Sequence, residues 1–525
     1  MKIKTIFRNF FSNKKNLKKY INHNLKCFGK KKYSSDNIVL VELNKLSDLH
    51  ILYSYLSNIL ANKYKAKIFG YNSRYFKRFI NLLIFNFKKF FNLDYFSVYS
   101  SFNVIKFFYP KPFFKKNQFD IEQKFNSLKT KSDLYEIKIS GVKIGDLLYD
   151  AYLRKYDLPT IDIKNKNLIK FSHEFFSLFY FWENYFQNNS IKAVIIHDTP
   201  YEHGIISRLS IYNNIPVYIG ATTRLHKLGK NNFNSFEMRN YKNEFNIFSE
   251  NEKILKRKIS KEYVDKKFSG KKTIENKISN LPPNKLFGNV KFKKKIIKDK
   301  NKTNCLVAAH HFSDAPNAWG GLLFDDFFEW IDFLGNLSNE LDYDWYIKFH
   351  PMDFKDNLDT VNFFLKKYKK FHLIERDTSH EQLISEGINL VLTGFGTIGF
   401  EYAYFKIPVI NASINNPHIS FDFNAHPSSI KEYKDSIINY KDLKINYDKK
   451  QLYEYFFMRY LNNFSLYPDE LSRDTNMEPG AGDHSSLVYK KWLNLFNEEF
   501  NKDLKYKLTN FIDSDQYKFE DEIKL

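Results

Sequence analysis

Apolar residues along this chain fall into short blocks separated by longer stretches of helical spacing. Ile38-Val39-Leu40-Val41 is an unbroken apolar run, the pattern of a strand buried on both faces. Leu46 to Leu60 follows with helical spacing, and Ala66-Lys67-Ile68-Phe69-Gly70 predicts a second strand. Lys192-Ala193-Val194-Ile195-Ile196 predicts another, ending in His197-Asp198, with a helix over Ile205 to Tyr212 and a strand at Val217-Tyr218-Ile219 after it. Alternation of this kind predicts a mostly parallel sheet with helical crossovers.

Residues 250 to 302 break the pattern. They are dense in lysine, contain Pro282-Pro283 and show little apolar periodicity, so they are expected to join two domains. A second αβ series starts at Asn304-Cys305-Leu306-Val307-Ala308-Ala309. It continues through a helix near Phe324 to Leu341, a strand from Tyr346 to Phe349, a helix near Val361 to Tyr368 and a strand at Phe371-His372-Leu373-Ile374. Leu390 to Leu392 predicts a further strand, running into Thr393-Gly394-Phe395-Gly396-Thr397, a helix carrying Glu401, and the strand Pro408-Val409-Ile410. Helical stretches near Leu452 to Leu461 and Ser485 to Phe500 close the chain. The expected division is a basic segment over 1–35, a first Rossmann-like domain over 36–250, a linker over 251–302, a second Rossmann-like domain over 303–445 and C-terminal helices over 446–525. The fold class is therefore α/β.

Composition changes this picture in two places. With 525 residues, 43% hydrophobic, the chain can build two sizeable cores. Its 82 Lys+Arg against 59 Asp+Glu give a net charge of +23, which favours anionic partners such as nucleotides, polyanionic glycans or lipid headgroups. Part of that charge follows from a general bias towards Lys, Asn, Ile, Phe and Tyr, whose codons are AT-rich. Residues 1 to 35 hold no acidic residue and interleave Lys2, Lys4, Arg8, Lys14 and Lys15 with Ile3, Ile6, Phe7, Phe10 and Phe11. Such a segment is either a basic amphipathic element for an anionic membrane surface or a disordered tail. Two distant cysteines, Cys27 and Cys305, argue against a disulfide framework and fit a reducing cytoplasm. The apolar run Phe79 to Phe85 is too short to span a bilayer.

Candidate chemistry gathers where predicted strands end. His350-Pro351 follows one strand, and a histidine there can hold a phosphate or move a proton. In Thr393-Gly394-Phe395-Gly396-Thr397, glycines at positive φ would let successive N–H groups form an anion nest. Thr397 would cap the next helix or contact phosphate, and Glu401, one turn later on the same face, would accept from ribose hydroxyls. His311 and Asp314, in the loop after the first strand of the second domain, are candidates for donor binding. His197 and Asp198 are candidates for the general base, and Tyr201 and His203 for acceptor contacts. Asp146 shares a helix face with Asp150 and Arg154, as an acceptor contact or as the cap of its helix. No residues are assigned to a metal or a cofactor.

The segments HHFSDAPN, WYIKFHP, TGFGTIGFEYAYFKIPVI, IIHDTPYEHG and SGVKIGDLLYDAYLR resemble bacterial capsule and surface-polysaccharide biosynthesis proteins of the GT-B type, in which two Rossmann-like domains face a central cleft. The pairing of His-Pro with Thr-Gly-x-Gly-Thr is similar to that of capsule Kdo transferases, bacterial sialyltransferases and CDP-glycerol glycerophosphotransferases. The resemblance implies that His350, Thr393 and Thr397 hold the donor phosphate. It also implies metal-independent transfer of a sugar, Kdo-like among the candidates, from a nucleotide-sugar, CMP-linked among the candidates, to a glycan or glycolipid acceptor. The cysteine usage and the basic N-terminal segment give the expected place, the cytoplasm, with contact to the inner face of the membrane as one alternative. It departs where Gly396-Thr397 stands for the paired Ser or Ser-Thr of related enzymes, and the acidic pair of the sialyltransferases is absent. Two other readings stay open. One is polyol-phosphate transfer from a CDP-activated donor. The other is a non-enzymatic basic scaffold or nucleic-acid-binding protein, against which the lysines lie mainly outside the αβ units.

Overall fold

The computed structural model describes residues 2–31, 33–75, 79–112, 121–221, 224–234, 240–270, 287–288, 292, 294–349, 358–462 and 487–519. In the first half, strands β1 (Asn37–Glu42), β2 (Lys67–Tyr71) and β3 (Val104–Phe108) precede a short hairpin of β4 (Lys138–Ile139) and β5 (Val142–Lys143). Strands β6 (Ser190–Ile196), β7 (Val217–Ala221) and β8 (Arg224–Leu228) follow. The first sheet runs β3-β2-β1-β6-β7-β8, parallel except for β8. The second half supplies β9 (Thr303–Ala309), β10 (Tyr343–Phe349), β11 (Phe371–Leu373), β12 (Leu390–Thr393) and β13 (Val409–Asn411). These form a fully parallel sheet in the order β11-β10-β9-β12-β13. Each sheet therefore starts in the middle, grows one way and reverses. This is the doubly wound order, in which ligands bind outside the carboxyl ends of the strands at the reversal point. Two Rossmann-like units with facing strand ends are the GT-B arrangement expected from the sequence.

Both sheets are covered on both faces, which is why their strands are apolar throughout. The helices Gly145–Tyr156, Lys166–Gln187 and Gly204–Tyr212 cover one face of the first sheet. The 22-residue helix Lys166–Gln187 begins at Asn165, whose side chain accepts from Asn167 N. It buries Phe171, Phe175, Phe179 and Trp182 at helical spacing. The other face carries Ser47–Tyr64, Tyr95–Ser101 and two C-terminal helices, Leu487–Leu495 and Glu498–Asp513.

The N-terminal segment is a helix, Lys2–Phe28. Its later half belongs to this core: Tyr20 is fully buried, stacked on Tyr489 at 4.3 Å, and Asn24 donates to Ser101 Oγ at 2.9 Å. The C-terminal segment also covers the β8 edge, with Lys227 N donating to Tyr517 O and Phe519 N to Leu225 O, so that edge is not left open for pairing with another chain.

The lysine-rich stretch between the units begins with a helix. A capping box at Ser249 and Glu252 opens the helix Glu250–Phe268. That helix packs against the second unit, where Arg257 pairs with Glu454 at 2.6 Å and Val264 is buried. Both cysteines are free. Among the described residues no helix is long and apolar enough to cross a membrane.

Candidate functional site

At the reversal point of the first sheet, β1 ends in Glu42 and β6 is followed by His197. Glu42 is buried, and its carboxylate is shared by two imidazoles. His197 Nδ1 lies 2.7 Å from Oε2, and the His197 backbone N donates to the same oxygen at 3.0 Å. His203 Nδ1 lies 2.9 Å from Oε1 and 2.8 Å from Ser73 Oγ. The rings of His197 and His203 meet edge to face at 4.9 Å. Burial alone would raise the Glu42 carboxyl; the His197 and His203 imidazoles outweigh it and hold the group well below its ordinary value. An ionised acceptor facing Nδ1 places the ring proton there. The proton-accepting nitrogen of the His197 ring is then Nε2.

Chain geometry around this cluster is tight. Gly204 opens the next helix where an added Cβ would lie 2.3 Å from Thr199 O, so no larger residue fits. Tyr201 holds φ 59, a left-handed conformation unusual for a non-glycine residue. It donates its hydroxyl to Asp314 Oδ1 at 3.1 Å. That bond spans the cleft, because Asp314 belongs to the loop after β9 at the reversal point of the second sheet. Burial, then Asp314 and Asp150, push the Tyr201 phenol up.

On the facing wall, the loop after β12 stands beside the loop after β9. Phe395 N donates to His310 Nε2 at 3.3 Å, and an added Cβ at Gly394 would lie 3.4 Å from the same nitrogen. Thr393 is fully buried and its Oγ1 accepts from Gly396 N at 3.2 Å. Trp319 stacks on Phe395 at 5.6 Å, and His310 on Phe327 at 4.8 Å.

Several expectations are corrected by this geometry. Neither Gly394 nor Gly396 has positive φ. Glycine is required at 396 by close approach instead, since a Cβ would come within 2.7 Å of Thr393 Oγ1. Thr397 occupies the N-cap position of Ile398–Tyr404 but its side chain makes no cap bond and is exposed. Glu401 is engaged inside the protein itself. It is buried and paired with Lys267 at 3.0 Å, on the helix that precedes the second unit, because the helix face carrying Glu401 packs inward while Thr397 stays outside. Asp146 is held by Arg208 through two bonds of 2.6 Å and does not cap its helix, whose N-cap is Ile144.

Asp198 accepts from the backbone N of Thr199 at 2.9 Å, next to the cluster and outside it. His311 Nδ1 lies 3.1 Å from Ser313 Oγ, which donates to Asp157 Oδ1 at 2.7 Å across the domain boundary. Burial lowers the pKa of His311, partly opposed by Asp157. Its neighbour His310, and not His311, is the one against the Thr393 to Thr397 loop. His350 lies outside the described residues.

Two residues at the site were missed in the sequence. Glu42 carried a usable signal, as the charged residue that ends the first buried strand. His310 had the opposite problem, since alternation along a strand cannot say which of two adjacent histidines faces a loop 85 residues away. Among the described residues, Glu42, His197 and His203 also offer ligand atoms within 4.8 Å of one another, a grouping that can hold a divalent ion. Here those atoms are engaged in the 2.7 and 2.9 Å hydrogen bonds above.

Polar contacts close the two units on each other. Asp326, fully buried, accepts from Thr160 Oγ1 at 2.5 Å, from Lys131 Nζ at 3.3 Å and from the Tyr149 hydroxyl, and its other oxygen caps the helix Phe327–Glu340. Asn317 Nδ2 donates to Asp150 Oδ1 at 2.8 Å.

No protein-family profile matches this sequence. No curated protein matches it either. Solved structures with a distant likeness include the UDP-GlcNAc 2-epimerase of Neisseria meningitidis bound to UDP-GlcNAc, at 11% identity over 81% of this chain and 100% of that one, TM-score 0.25. The UDP-GlcNAc 2-epimerase of Methanocaldococcus jannaschii in complex with UDP-GlcNAc and UDP has 11% identity over 80% and 97%, TM-score 0.24. The wall teichoic acid polymerase TagF has 10% identity over 95% and 98%, TM-score 0.20. Likeness this distant carries no chemistry across.

Proposed function

We infer that this protein is a glycosyltransferase that moves a sugar, Kdo-like by the motif resemblance, from a nucleotide-sugar to a surface-glycan acceptor. One observation carries the reading: a buried carboxylate, Glu42, orients His197 at the reversal point of the first sheet, and Tyr201 beside it touches the corresponding loop of the second sheet. A base on one wall and a glycine-containing loop on the other is the layout that acceptor activation and donor binding need.

In this mechanism the acceptor hydroxyl gives its proton to His197 Nε2 while its oxygen bonds to the anomeric carbon. The bond from that carbon to the phosphate oxygen breaks, and the nucleotide leaves with the electron pair. Glu42 offsets the positive charge that develops on the imidazole, as the carboxylate partner of a catalytic histidine does. The Thr397 hydroxyl and, from the sequence, His350 would stabilise the departing phosphate.

The test is a thermal-shift screen of the full chain with CMP, CDP, UDP and GDP, followed by transfer assays with the matching activated donors. A nucleotide at about 100 times its Kd should stabilise the fold by about 2.7 kcal/mol. Response to CMP supports the Kdo-like donor, and response to CDP redirects the reading to polyol-phosphate transfer. Silence with all four nucleotides, in a folded protein, overturns the enzyme reading.

A further inference from the structure

The helix Phe79–Phe90 has an apolar face against which none of the described residues packs. Phe79 is 74% exposed, Ile80 55%, Leu83 47%, Phe87 58% and Phe90 82%, with Phe91 just beyond the helix at 55%. At about 100° per residue these positions share one side of the helix, an arc of roughly 140° that also takes in Ile84. Phe85 points the opposite way, is 4% exposed, and meets Phe96 at 5.1 Å and Tyr109 at 5.5 Å. The helix is thus held to the first unit by its back while its front presents leucine, isoleucine and phenylalanine to solvent. A contiguous exposed patch of large apolar side chains marks an interaction surface.

Charge identifies what it meets. From Asn72 to Leu93 the sequence holds no acidic residue and five basic ones, Arg74, Lys77 and Arg78 ahead of the helix and Lys88 and Lys89 in its last turn. Arg74 pairs with Glu202 and Lys88 with Asp94, while Lys89 is exposed. The helix Lys2–Phe28, which contains no acidic residue, is fixed beside this region: Asn24 bonds Ser101, and Phe96 in the same short helix packs on Phe85. A broad apolar stripe bordered by lysine and arginine suits a bilayer interface, where the stripe enters the acyl boundary and the cations meet anionic headgroups. A second protein would need a complementary acidic rim, and this chain, at +23, makes a poor partner for itself.

We propose that the helix Phe79–Phe90, with Phe91 and its basic flanks, inserts in the plane of an anionic lipid surface and is the principal membrane contact of this protein. The contact does not depend on the transferase reading. It does have a consequence for it: Ser73, which touches His203, precedes the helix by six residues, a chain reach of at most about 20 Å. The docked surface would hold the cleft close to the headgroups.

Sedimentation of the full chain with phosphatidylglycerol–phosphatidylcholine vesicles tests this, with phosphatidylcholine vesicles as the comparison. Binding should require phosphatidylglycerol and weaken with salt. The double variant Leu83→Glu/Phe87→Glu, at two exposed positions, should stay folded and lose binding by about tenfold or more. Hydrogen exchange of wild-type protein should slow across residues 79–93 when vesicles are added. Unchanged exchange there, or binding that survives the double variant, overturns the proposal. So does a mass doubling in solution that the double variant abolishes, since the patch would then be a dimer face.

Discussion

His197 Nδ1 stands 2.7 Å from Glu42 Oε2, although 155 residues separate them in the chain. The strand order brings this about, because β1 and β6 are neighbours at the reversal point and each ends in one member of the pair. His197→Ala is expected to lower transfer by about 10²–10⁴-fold with the fold retained. Glu42→Gln should show a smaller loss, because the imidazole keeps its place and loses the charge that fixes its proton. Steady-state kinetics with circular dichroism check both. The carboxyl is held below its ordinary value of 4.5, so its stabilising contribution is complete above that pH and fades as pH falls through the lower folded value. The stability gap between wild type and Glu42→Gln should shrink in the same direction.

Asp150 behaves in the opposite sense. It is buried where the units meet, and burial pushes its carboxyl well above 3.8, opposed by Asn317 and reinforced by Asp146. The folded state therefore favours the protonated form, and stability falls as pH rises from the unfolded pKa towards the folded one. Asp150→Asn keeps an acceptor for Asn317 and removes the charge. It should stabilise the protein at neutral pH by on the order of 1–3 kcal/mol, a gain that disappears near pH 4, measured by denaturant unfolding across pH.

Glu401 separates two roles cleanly. If it serves the pair with Lys267, Glu401→Gln should cost about 3–5 kcal/mol, since a buried ammonium is left without its counter-charge. The double variant Lys267→Met/Glu401→Leu should recover most of that loss. Nucleotide affinity measured by calorimetry should then be little changed by the double variant, whereas a ribose contact would show as a direct loss of affinity.

Asp326 joins the cap of one helix to three side chains of the other unit. Asp326→Ala should cost about 1 kcal/mol for the cap alone and more for the Lys131 ammonium left behind. The expected outcome is a larger radius of gyration in small-angle scattering, as the two units separate more readily. An unchanged radius would mean that the Asn317–Asp150 and Ser313–Asp157 contacts suffice to keep them closed.

Much of the fold was legible because buried parallel strands must be apolar throughout. The blocks at Ile38 to Val41, Ala193 to Ile196 and Cys305 to Ala309 announce themselves, and His197 was marked by ending one of them. The helix Lys166–Gln187 was not read from the sequence although Phe171, Phe175, Phe179 and Trp182 recur in it at helical spacing. The lysine-rich helix Glu250–Phe268 left no such signal, since it buries few residues.

The sequence by itself determined the two αβ series, the strand ends where polar residues collect, and the residue types available there. Only the tertiary structure decided the partners. It set Glu42 against His197 and His203, His310 against the loop at Phe395, Asp146 against Arg208, and Glu401 against Lys267. Periodicity records which face of an element is buried. The identity of the side chain that meets it depends on strand order and on how two domains close, and those are settled by contacts between residues far apart in the chain.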